Sequence, residues 1–237
     1  MASVTHPGEP HTDDLSGLLN RLRAGVLGAN DGIVSTAGLV VGVAGTTLAT
    51  GPIATAGVAG MVAGAVSMAL GEYVSVSSQR DTERALLATE RTELADFPDQ
   101  ELDELTALYV AKGLTPATAR RVAEELTAKD AFAAHADAEL HIDPEALASP
   151  WQAAGASAAA FTLGSLLPLT AILLPPPHLR VAVTFAVVVL ALAVTGAVSA
   201  RLGRSPAGRA VARLVGGGAV AMAVTFGLGR LVGAAVG

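Results

Sequence analysis

The stretch from Pro52 to Leu94 constrains the fold more than any other part of the sequence. It begins as an apolar, small-residue run and passes into a charged helical pattern, and the next proline is Pro98. One continuous helix of this length would measure about 60 Å at 1.5 Å per residue, whereas the hydrocarbon core of a bilayer is only about 30 Å thick. The stretch therefore predicts a helix that crosses a membrane and continues well into the aqueous space.

Charged residues are scarce and segregated along the chain. They make up 15% of the 237 residues, against about 25% in soluble domains. Between Arg23 and Arg80, only Asp31 and Glu72 carry a charge. Apolar windows of this length are typical of transmembrane helices. The sequence predicts an all-α membrane protein with five spans, at about 22–48, 53–76, 151–174, 181–200 and 214–236.

The basic residues of the short loops set the predicted orientation. Arginines precede the first span and lie between the fourth and fifth, whereas the loop between the first and second has no Lys or Arg. This distribution predicts a cytoplasmic N-terminus, a cytoplasmic segment between the second and third spans, and a C-terminus outside. The absence of cysteine excludes disulfides and thiolate metal sites.

Composition divides the chain into four predicted parts. Residues 1–20 are polar and acidic without an apolar core, which predicts a disordered lead-in rather than a signal peptide. Residues 21–76 hold the first two spans and residues 149–237 the last three. Residues 77–148 form an aqueous module with 16 acidic and 7 basic residues. That balance favours cations as ligands and argues against nucleic acid.

Helix-ending and helix-starting residues predict three helices in this module. The long helix should end near Leu94, because the residue before a proline is biased away from helical geometry. Asp99 is predicted to cap a second helix over 100–112. A third helix opens at Pro116, with a kink near Asp130.

Three residues of the first two spans are candidates for an ion path. Asp31 lies about ten residues inside the first span, about 15 Å deep, where a carboxylate costs roughly 3 kcal/mol or more and is a functional candidate by default. Met68 and Glu72 are spaced i, i+4 and share a helix face, with Met68 at about the depth of Asp31 and Glu72 near the interface. Structural alternatives are a protonated packing carboxyl for Asp31, ordinary packing for Met68, and an interfacial or capping role for Glu72.

The aqueous module offers a second set of carboxylates. Glu90 and Glu93 are spaced i, i+3 at the end of the long helix, and Glu101 and Glu104 repeat that spacing on the next helix. Four converging carboxylates would repel one another unless cations neutralised them, and oxygen ligands suit divalent ions. A solvated charged face is the alternative for any single glutamate. The third helix adds His135, Asp137, Glu139 and His141 as further candidates.

A carboxylate-bridged di-iron enzyme would carry Glu-x-x-His motifs on two helices. The residues three positions after the four paired glutamates are Glu, Asp, Glu and Ala. This pattern argues against an enzyme.

Three stretches resemble the vacuolar iron transporter family, membrane proteins that move Fe²⁺, and in some members Mn²⁺, out of the cytosol. They are 29–45 (ANDGIVSTAGLVVGVAG), 64–94 and 147–169. The resemblance implies five spans, a cytosolic three-helix metal-binding module between the second and third, and a homodimer with the ion path at its interface.

By this resemblance, Asp31 and Met68 would line the ion path, and Glu72 would lie near its cytoplasmic mouth. Known members use methionines near position 135, and His135 is predicted to supply an imidazole ligand instead. The module's carboxylate ligands would be Glu90, Glu93, Glu101, Glu104 and Glu139.

The combined prediction is a bacterial-type exporter of divalent transition metal, Fe²⁺ first, that exchanges metal for protons and is not an enzyme. No prosthetic group is predicted, and the bound or transported ions are Fe²⁺ with Mn²⁺, Zn²⁺ and Co²⁺ as alternatives. The predicted location is the bacterial inner (plasma) membrane. An Mn²⁺ or broader divalent-metal exporter, and a non-transporting metal sensor or storage-associated membrane protein, are the alternative functions.

Overall fold

A computed structural model describes residues 13–203 and 205–236, which form seven α-helices and no strand. Five of the helices, the first two and the last three along the chain, are long and apolar enough to cross a membrane. The predicted all-α fold with five spans is therefore confirmed. The helices are α1 (Asp13–Thr46), α2 (Thr50–Asp96), α3 (Pro98–Ala111), α4 (Pro116–Ala138), α5 (Pro150–Leu173), α6 (Arg180–Leu202) and α7 (Ala207–Val236).

The second helix, α2, runs through 47 residues and joins the apolar and charged halves of its sequence in one element. The sequence predicted spans over 22–48 and 53–76, with the turn between them at Gly51–Pro52, but the non-helical residues are 47–49 and Pro52 lies in the first turn of α2. A proline is tolerated there because the first N–H groups of a helix have no intrahelical acceptor. The turn prediction was therefore wrong by a few residues.

Two helices begin earlier than predicted. α1 starts at Asp13, so residues 13–20 of the predicted disordered lead-in are helical, while residues 1–12 lie outside the described part. α7 starts at Ala207 rather than near residue 214, which places Arg209 and Arg213 on the helix. Polar first turns conceal such starts, because their residues lack the apolar periodicity that identifies the spans.

The junction between α2 and α3 differs from the prediction in detail. Phe97 alone separates the two helices, and Pro98 begins α3, where the sequence favoured a cap at Asp99. Pro116 opens α4 as predicted, after Thr115, whose side chain accepts a hydrogen bond from the Thr118 N–H at 3.4 Å. In both cases the proline costs no hydrogen bond, because the N–H group at this position of a helix has no intrahelical acceptor.

The described residues divide into two compact units, the first made of residues 13–72, 154–203 and 205–236 and the second of residues 73–153. In the first unit α1 packs against α6 and α7. Small residues allow the close approach: a Cβ at Gly229 would overlap the backbone oxygen of Gly42, and one at Gly164 would overlap that of Ala29. These contacts are the kind of small-residue seam by which helices pack in lipid.

Arg180, at the start of α6, joins two turns of the first unit. It is 5% exposed, and its guanidinium donates to the Leu48 carbonyl at 2.9 Å, the Thr50 hydroxyl at 2.8 Å and the Pro175 carbonyl at 3.3 Å. The three bonds satisfy a charge that would be costly to bury alone. They fasten the turn between α1 and α2 to the turn between α5 and α6.

In the second unit α3 packs against α4 around Leu105, Ala123 and Ala138. The predicted kink in α4 is confirmed at Asp130, whose backbone is extended (φ −164°, ψ 96°). The Asp130 carboxylate accepts a hydrogen bond from the Ala133 N–H at 2.9 Å. Asp130 therefore acts as an N-cap for the second half of α4, which carries the side chains described next.

Candidate metal centre and membrane cavity

Four of the predicted site residues meet at one point inside the second unit. Glu90 comes from α2, Glu101 from α3, His135 from the second half of α4, and Glu139 from the residue after α4. The Nδ1 atom of His135 lies 3.0 Å from Glu90 Oε1, 3.5 Å from Glu139 Oε2 and 3.6 Å from Glu101 Oε2. We refer to these four residues as the carboxylate–histidine cluster.

Three members of the cluster are buried and Glu139 is partly buried, yet several of their polar atoms have no hydrogen-bond partner in the protein. His135 is 0% exposed, Glu90 2% and Glu101 7%. Within the described residues, Glu90 Oε1, Glu139 Oε2 and both ring nitrogens of His135 lack a hydrogen bond of acceptable geometry, even though His135 Nδ1 and Glu90 Oε1 are 3.0 Å apart. Buried polar atoms nearly always have partners, so this arrangement favours a ligand that accepts lone pairs from the two carboxylate oxygens and from one ring nitrogen of His135.

A divalent cation meets that requirement. Glu90, His135 and Glu139 each offer a ligand atom, and these atoms lie within 4.8 Å of one another. Three carboxylates and one imidazole form a donor set that suits borderline transition ions such as Fe²⁺, Mn²⁺, Co²⁺ and Zn²⁺. The cluster is therefore a candidate metal centre.

The raised pKa values of two glutamates in the cluster also favour a bound cation. The pKa of Glu90 is raised from 4.5 to about 7, first by burial and then by the charge of Glu139; His135 opposes the rise, and Glu101 and Glu93 add to it. The pKa of Glu101 is also raised, first by burial and then by Glu104. Carboxyl groups that resist ionisation in this way gain when a cation arrives to neutralise them.

In each pair of glutamates spaced three apart, only one side chain points into the interior. Glu93 and Glu104 are exposed, while Glu90 and Glu101 are buried. Residues three apart on a helix are offset by about 60° around its axis, which is enough to put one carboxylate in the interior and leave the other at the surface. Glu93 and Glu104 remain close enough to influence the pKa of Glu101.

Two further candidates on the third helix lie apart from the cluster. Asp137 and His141 are exposed, and the Nδ1 atom of His141 is 2.9 Å from the backbone oxygen of Asp137. His141 follows α4 with a φ of 54°, so it belongs to the turn that ends the helix.

A second candidate site lies in the first unit. Asp31 and Met68 line one cavity of about 230 Å³, together with the hydroxyl residues Ser35, Thr36 and Ser67. Glu72 is not among the residues that line it. Asp31 is exposed in the single chain, and a carboxylate on a membrane span would face lipid unless another molecule covered it.

Sequence reasoning did not identify the hydroxyl residues of this cavity. The Thr36 hydroxyl is buried and has no hydrogen-bond partner among the described residues. Ser35 follows Asp31 by four positions and therefore lies on the same face of α1, one turn away, and Thr36 is the next residue. The signal was available in that spacing, but serine and threonine are common at packing seams and the pattern alone is weak.

Comparison with known proteins places the chain in a family. A family model described as the VIT family matches residues 22–230. The chain belongs to this family. A "Vacuolar iron transporter" of Acanthamoeba castellanii is 43% identical to it, over 94% of this chain and 83% of its own length. "Vacuolar iron transporter homolog 5" of Oryza sativa subsp. japonica is 41% identical, over 92% of this chain and 83% of its own length. "Vacuolar iron transporter homolog 2" of Arabidopsis thaliana is 38% identical, over 95% of this chain and 91% of its own length.

The resemblance drawn from the three sequence stretches is thus confirmed. The VIT family consists of transporters, so the prediction that the chain is not an enzyme is confirmed as well. The matched range contains both the carboxylate–histidine cluster and the cavity beside Asp31.

Proposed function

We propose that this VIT family member transports divalent transition metal, with Fe²⁺ as the first candidate, out of the cytosol in exchange for protons. The relatives named as vacuolar iron transporters support iron as the cargo. The observation that carries the proposal is the carboxylate–histidine cluster, whose buried polar atoms lack partners within the described residues. That cluster occurs in a chain with five candidate membrane spans.

In this proposal residues 77–148 form a cytoplasmic metal-binding module between the spans of 21–76 and those of 149–237. The module collects metal from the cytosol through Glu90, Glu101, His135 and Glu139. Glu93 and Glu104 add negative charge at its exposed rim, which raises the local concentration of cations. The N-terminus is cytoplasmic and the C-terminus lies outside the plasma membrane.

Asp31 and Met68 form the station within the membrane, with Glu72 near its cytoplasmic mouth. A thioether and a carboxylate at one cavity make a weak mixed site for a borderline metal, which suits a waypoint that must also release its ion. The exposure of Asp31 in the single chain supports a homodimer in which a second copy covers it.

Proton exchange follows from competition at the same groups. A carboxylate must be deprotonated to bind metal, so protons displace the ion as pH falls. The pKa of Glu90, raised to about 7 by burial and by the neighbouring carboxylates, brings this competition into the neutral range. Protons that enter from outside would release the metal from the path in the same way.

Metal uptake into proteoliposomes tests the proposal. Asp31→Asn is expected to abolish Fe²⁺ flux under reducing conditions, while metal binding by the carboxylate–histidine cluster is unchanged. The matched control is Asp99→Asn, which removes an exposed carboxylate from α3 and should transport normally. Normal flux in Asp31→Asn would refute the membrane station, and binding without flux in the unaltered protein would favour a metal sensor or storage-associated role.

The choice of metal has a second candidate. Three of the four groups in the cluster are carboxylates, and oxygen-rich sites accommodate Mn²⁺ well. Competition uptake with Fe²⁺, Mn²⁺, Co²⁺ and Zn²⁺ against a fixed label decides between an iron exporter and an Mn²⁺ or broader exporter. Preferential competition by Mn²⁺ would overturn the assignment of Fe²⁺.

A further inference from the structure

The cavity beside Asp31 contains a buried polar side chain that the proposed function does not use. Thr36 lines this cavity together with Asp31, Met68 and two serines, Ser35 and Ser67. Thr36 is 2% exposed, whereas Asp31 and both serines are exposed in the single chain. The hydroxyl oxygen of Thr36 has no hydrogen-bond partner in the part of the chain that the structure describes.

An unpaired threonine hydroxyl is an exception among the membrane helices. A threonine within a helix commonly donates its hydroxyl proton to a backbone carbonyl three or four residues earlier and so satisfies it locally. Every threonine of α5, α6 and α7 does so at 2.8–3.1 Å, namely Thr162, Thr170, Thr184, Thr195 and Thr225. Thr36 makes no such bond to a described residue. Its hydroxyl is therefore available to an occupant of the cavity.

The carbonyl that Thr36 would use is already occupied. It belongs to Gly32, four residues earlier, and it accepts a hydrogen bond from the Ser165 hydroxyl of α5 at 3.2 Å. The helix directs the Thr36 N–H to the same oxygen, and a carbonyl oxygen has only two lone pairs. A third donor finds no lone pair there. Ser165, which is 0% exposed, thus helps to keep the Thr36 hydroxyl free.

Glycines of α2 keep the cavity open. Gly60 and Gly64 belong to its lining. A Cβ at Gly60 would overlap the Leu39 side chain, and one at Gly64 would overlap the Phe161 ring. The resulting space is about 230 Å³, several times the roughly 30 Å³ that one water takes up in the liquid. It therefore has room for an ion that keeps some of its waters.

We propose that the Thr36 hydroxyl oxygen is a ligand of the ion in the membrane station and sets the preference of that station among metals. This role depends on the proposed function, in which Asp31 and Met68 form the station. The thioether of Met68 favours softer ions, whereas an added oxygen donor favours Mn²⁺ and Fe²⁺. The hydroxyl adds a donor atom without adding charge or a proton to exchange, which suits a station that must also release its ion.

Fe²⁺ uptake into proteoliposomes, measured under reducing conditions with and without the softer ion Cd²⁺ as competitor, tests this role in the full-length protein. Thr36→Val removes the hydroxyl at nearly constant volume. We expect the KM for Fe²⁺ to rise about tenfold, the lower end of what losing even an outer-shell partner of a metal site costs. The maximal rate and the inhibition constant of Cd²⁺ should change little, so Cd²⁺ becomes the stronger competitor. Thr36→Ser keeps the hydroxyl and should retain the original preference.

The matched control is Thr184→Val. It removes an equally buried hydroxyl, which donates to the Arg180 carbonyl at 2.8 Å and does not line the cavity. Its KM for Fe²⁺ and its inhibition by Cd²⁺ should match those of the unaltered protein. Helical content by circular dichroism identifies a variant that fails to fold, and Thr36→Ala then replaces Thr36→Val in the same comparison.

The outcomes separate this role from the proposed function. An unchanged preference for Fe²⁺ over Cd²⁺ in folded Thr36→Val, with Fe²⁺ flux intact, would overturn the role of Thr36 and leave the proposed function standing. An equal weakening for both ions, or the same shift in Thr184→Val, would show a general packing effect and would also overturn it. Absence of Fe²⁺ flux in the unaltered protein would overturn the proposed function and the role of Thr36 together.

Discussion

The two candidate sites differ in how much of each is contained in one chain. The carboxylate–histidine cluster is enclosed, with Glu90 2% exposed and His135 0% exposed. In the first unit, Asp31 lines a cavity but is itself exposed. A site whose buried polar atoms lack partners can bind an ion without further groups. A site that leaves a carboxylate exposed on a membrane span needs another molecule to shield that carboxylate from lipid. Under the proposed function, one copy is therefore sufficient to bind metal, whereas transport would need a second copy to cover Asp31.

The largest expected effect separates binding from transport. Glu90→Gln removes a buried ligand and should weaken metal binding at least tenfold, the lower end of what losing even an outer-shell partner costs. Flux at saturating metal should fall much less than in Asp31→Asn, because the membrane station is intact. Calorimetric titration of the full-length protein measures the affinity, and the exposed Glu93→Gln is its control. Equal effects of Glu90→Gln and Glu93→Gln would contradict an enclosed centre.

The pH dependence of binding sharpens the same contrast. Because the pKa of Glu90 is about 7, the metal-binding form is lost as pH falls through 7, and the apparent affinity should drop by roughly tenfold per pH unit below that point. Titrations between pH 8 and pH 5.5 check this. A flat profile over that range would mean that Glu90 is not a ligand.

Stability of the metal-free protein should respond in the opposite sense. The pKa of Glu90 is higher in the folded state than in the unfolded state, so its contribution is fully present below about pH 4.5 and is lost as pH rises through 7. Glu90→Gln imitates the protonated form. At pH 8 it should stabilise the metal-free second unit by about 3 kcal/mol. Hydrogen exchange of α3 and α4 measures this. Faster exchange in the variant would contradict the account.

The first unit should be sensitive to packing changes that leave the cluster untouched. Gly229→Val places side-chain atoms where the backbone of Gly42 lies, and overpacking of this kind costs about 1–3 kcal/mol. The thermal midpoint should fall while metal affinity stays the same, since distant sites are nearly additive. Gly227→Val, at a glycine whose Cβ would meet no described atom within 4 Å, is the control. Loss of metal binding in Gly229→Val would argue against two independent units.

The smallest effect concerns the kink that positions His135. Asp130→Ala removes the side-chain acceptor of the Ala133 N–H, and losing an N-cap costs about 1 kcal/mol. Metal affinity should weaken by less than tenfold, because the second half of α4 frays without being displaced. Asp137→Ala, an exposed change on the same segment, should have no effect. A loss as large as that of Glu90→Gln would mean that Asp130 contacts the ion.

Apolar periodicity and helix breakers made the architecture predictable from the sequence. The five spans and the kink at Asp130 follow from segregated charges and local propensity, which act over a few residues. The boundaries were less accurate where a proline begins a helix, as at Pro98, or where a first turn is polar, as at Asp13. Helix ends at such positions are determined by local backbone preferences, which a hydropathy pattern does not show.

The cluster could be predicted in kind but not in arrangement. Glutamates spaced three apart indicated a cation site, yet spacing alone did not show that Glu90 turns inward while Glu93 remains at the surface. That choice depends on how α2, α3 and α4 pack. The same applies to His135, whose burial depends on the restart of the helix after Asp130.

The fastening made by Arg180 limits how the membrane helices can move. Its bonds to Leu48, Thr50 and Pro175 tie the two turns together at one end of the first unit. A helix pair that is held at one end can separate only by swinging about that end, with the amplitude greatest at the far side. The Arg180 bonds therefore predict that relative movement of α1 or α2 against α5 or α6 is smallest at this end of the first unit and larger away from it.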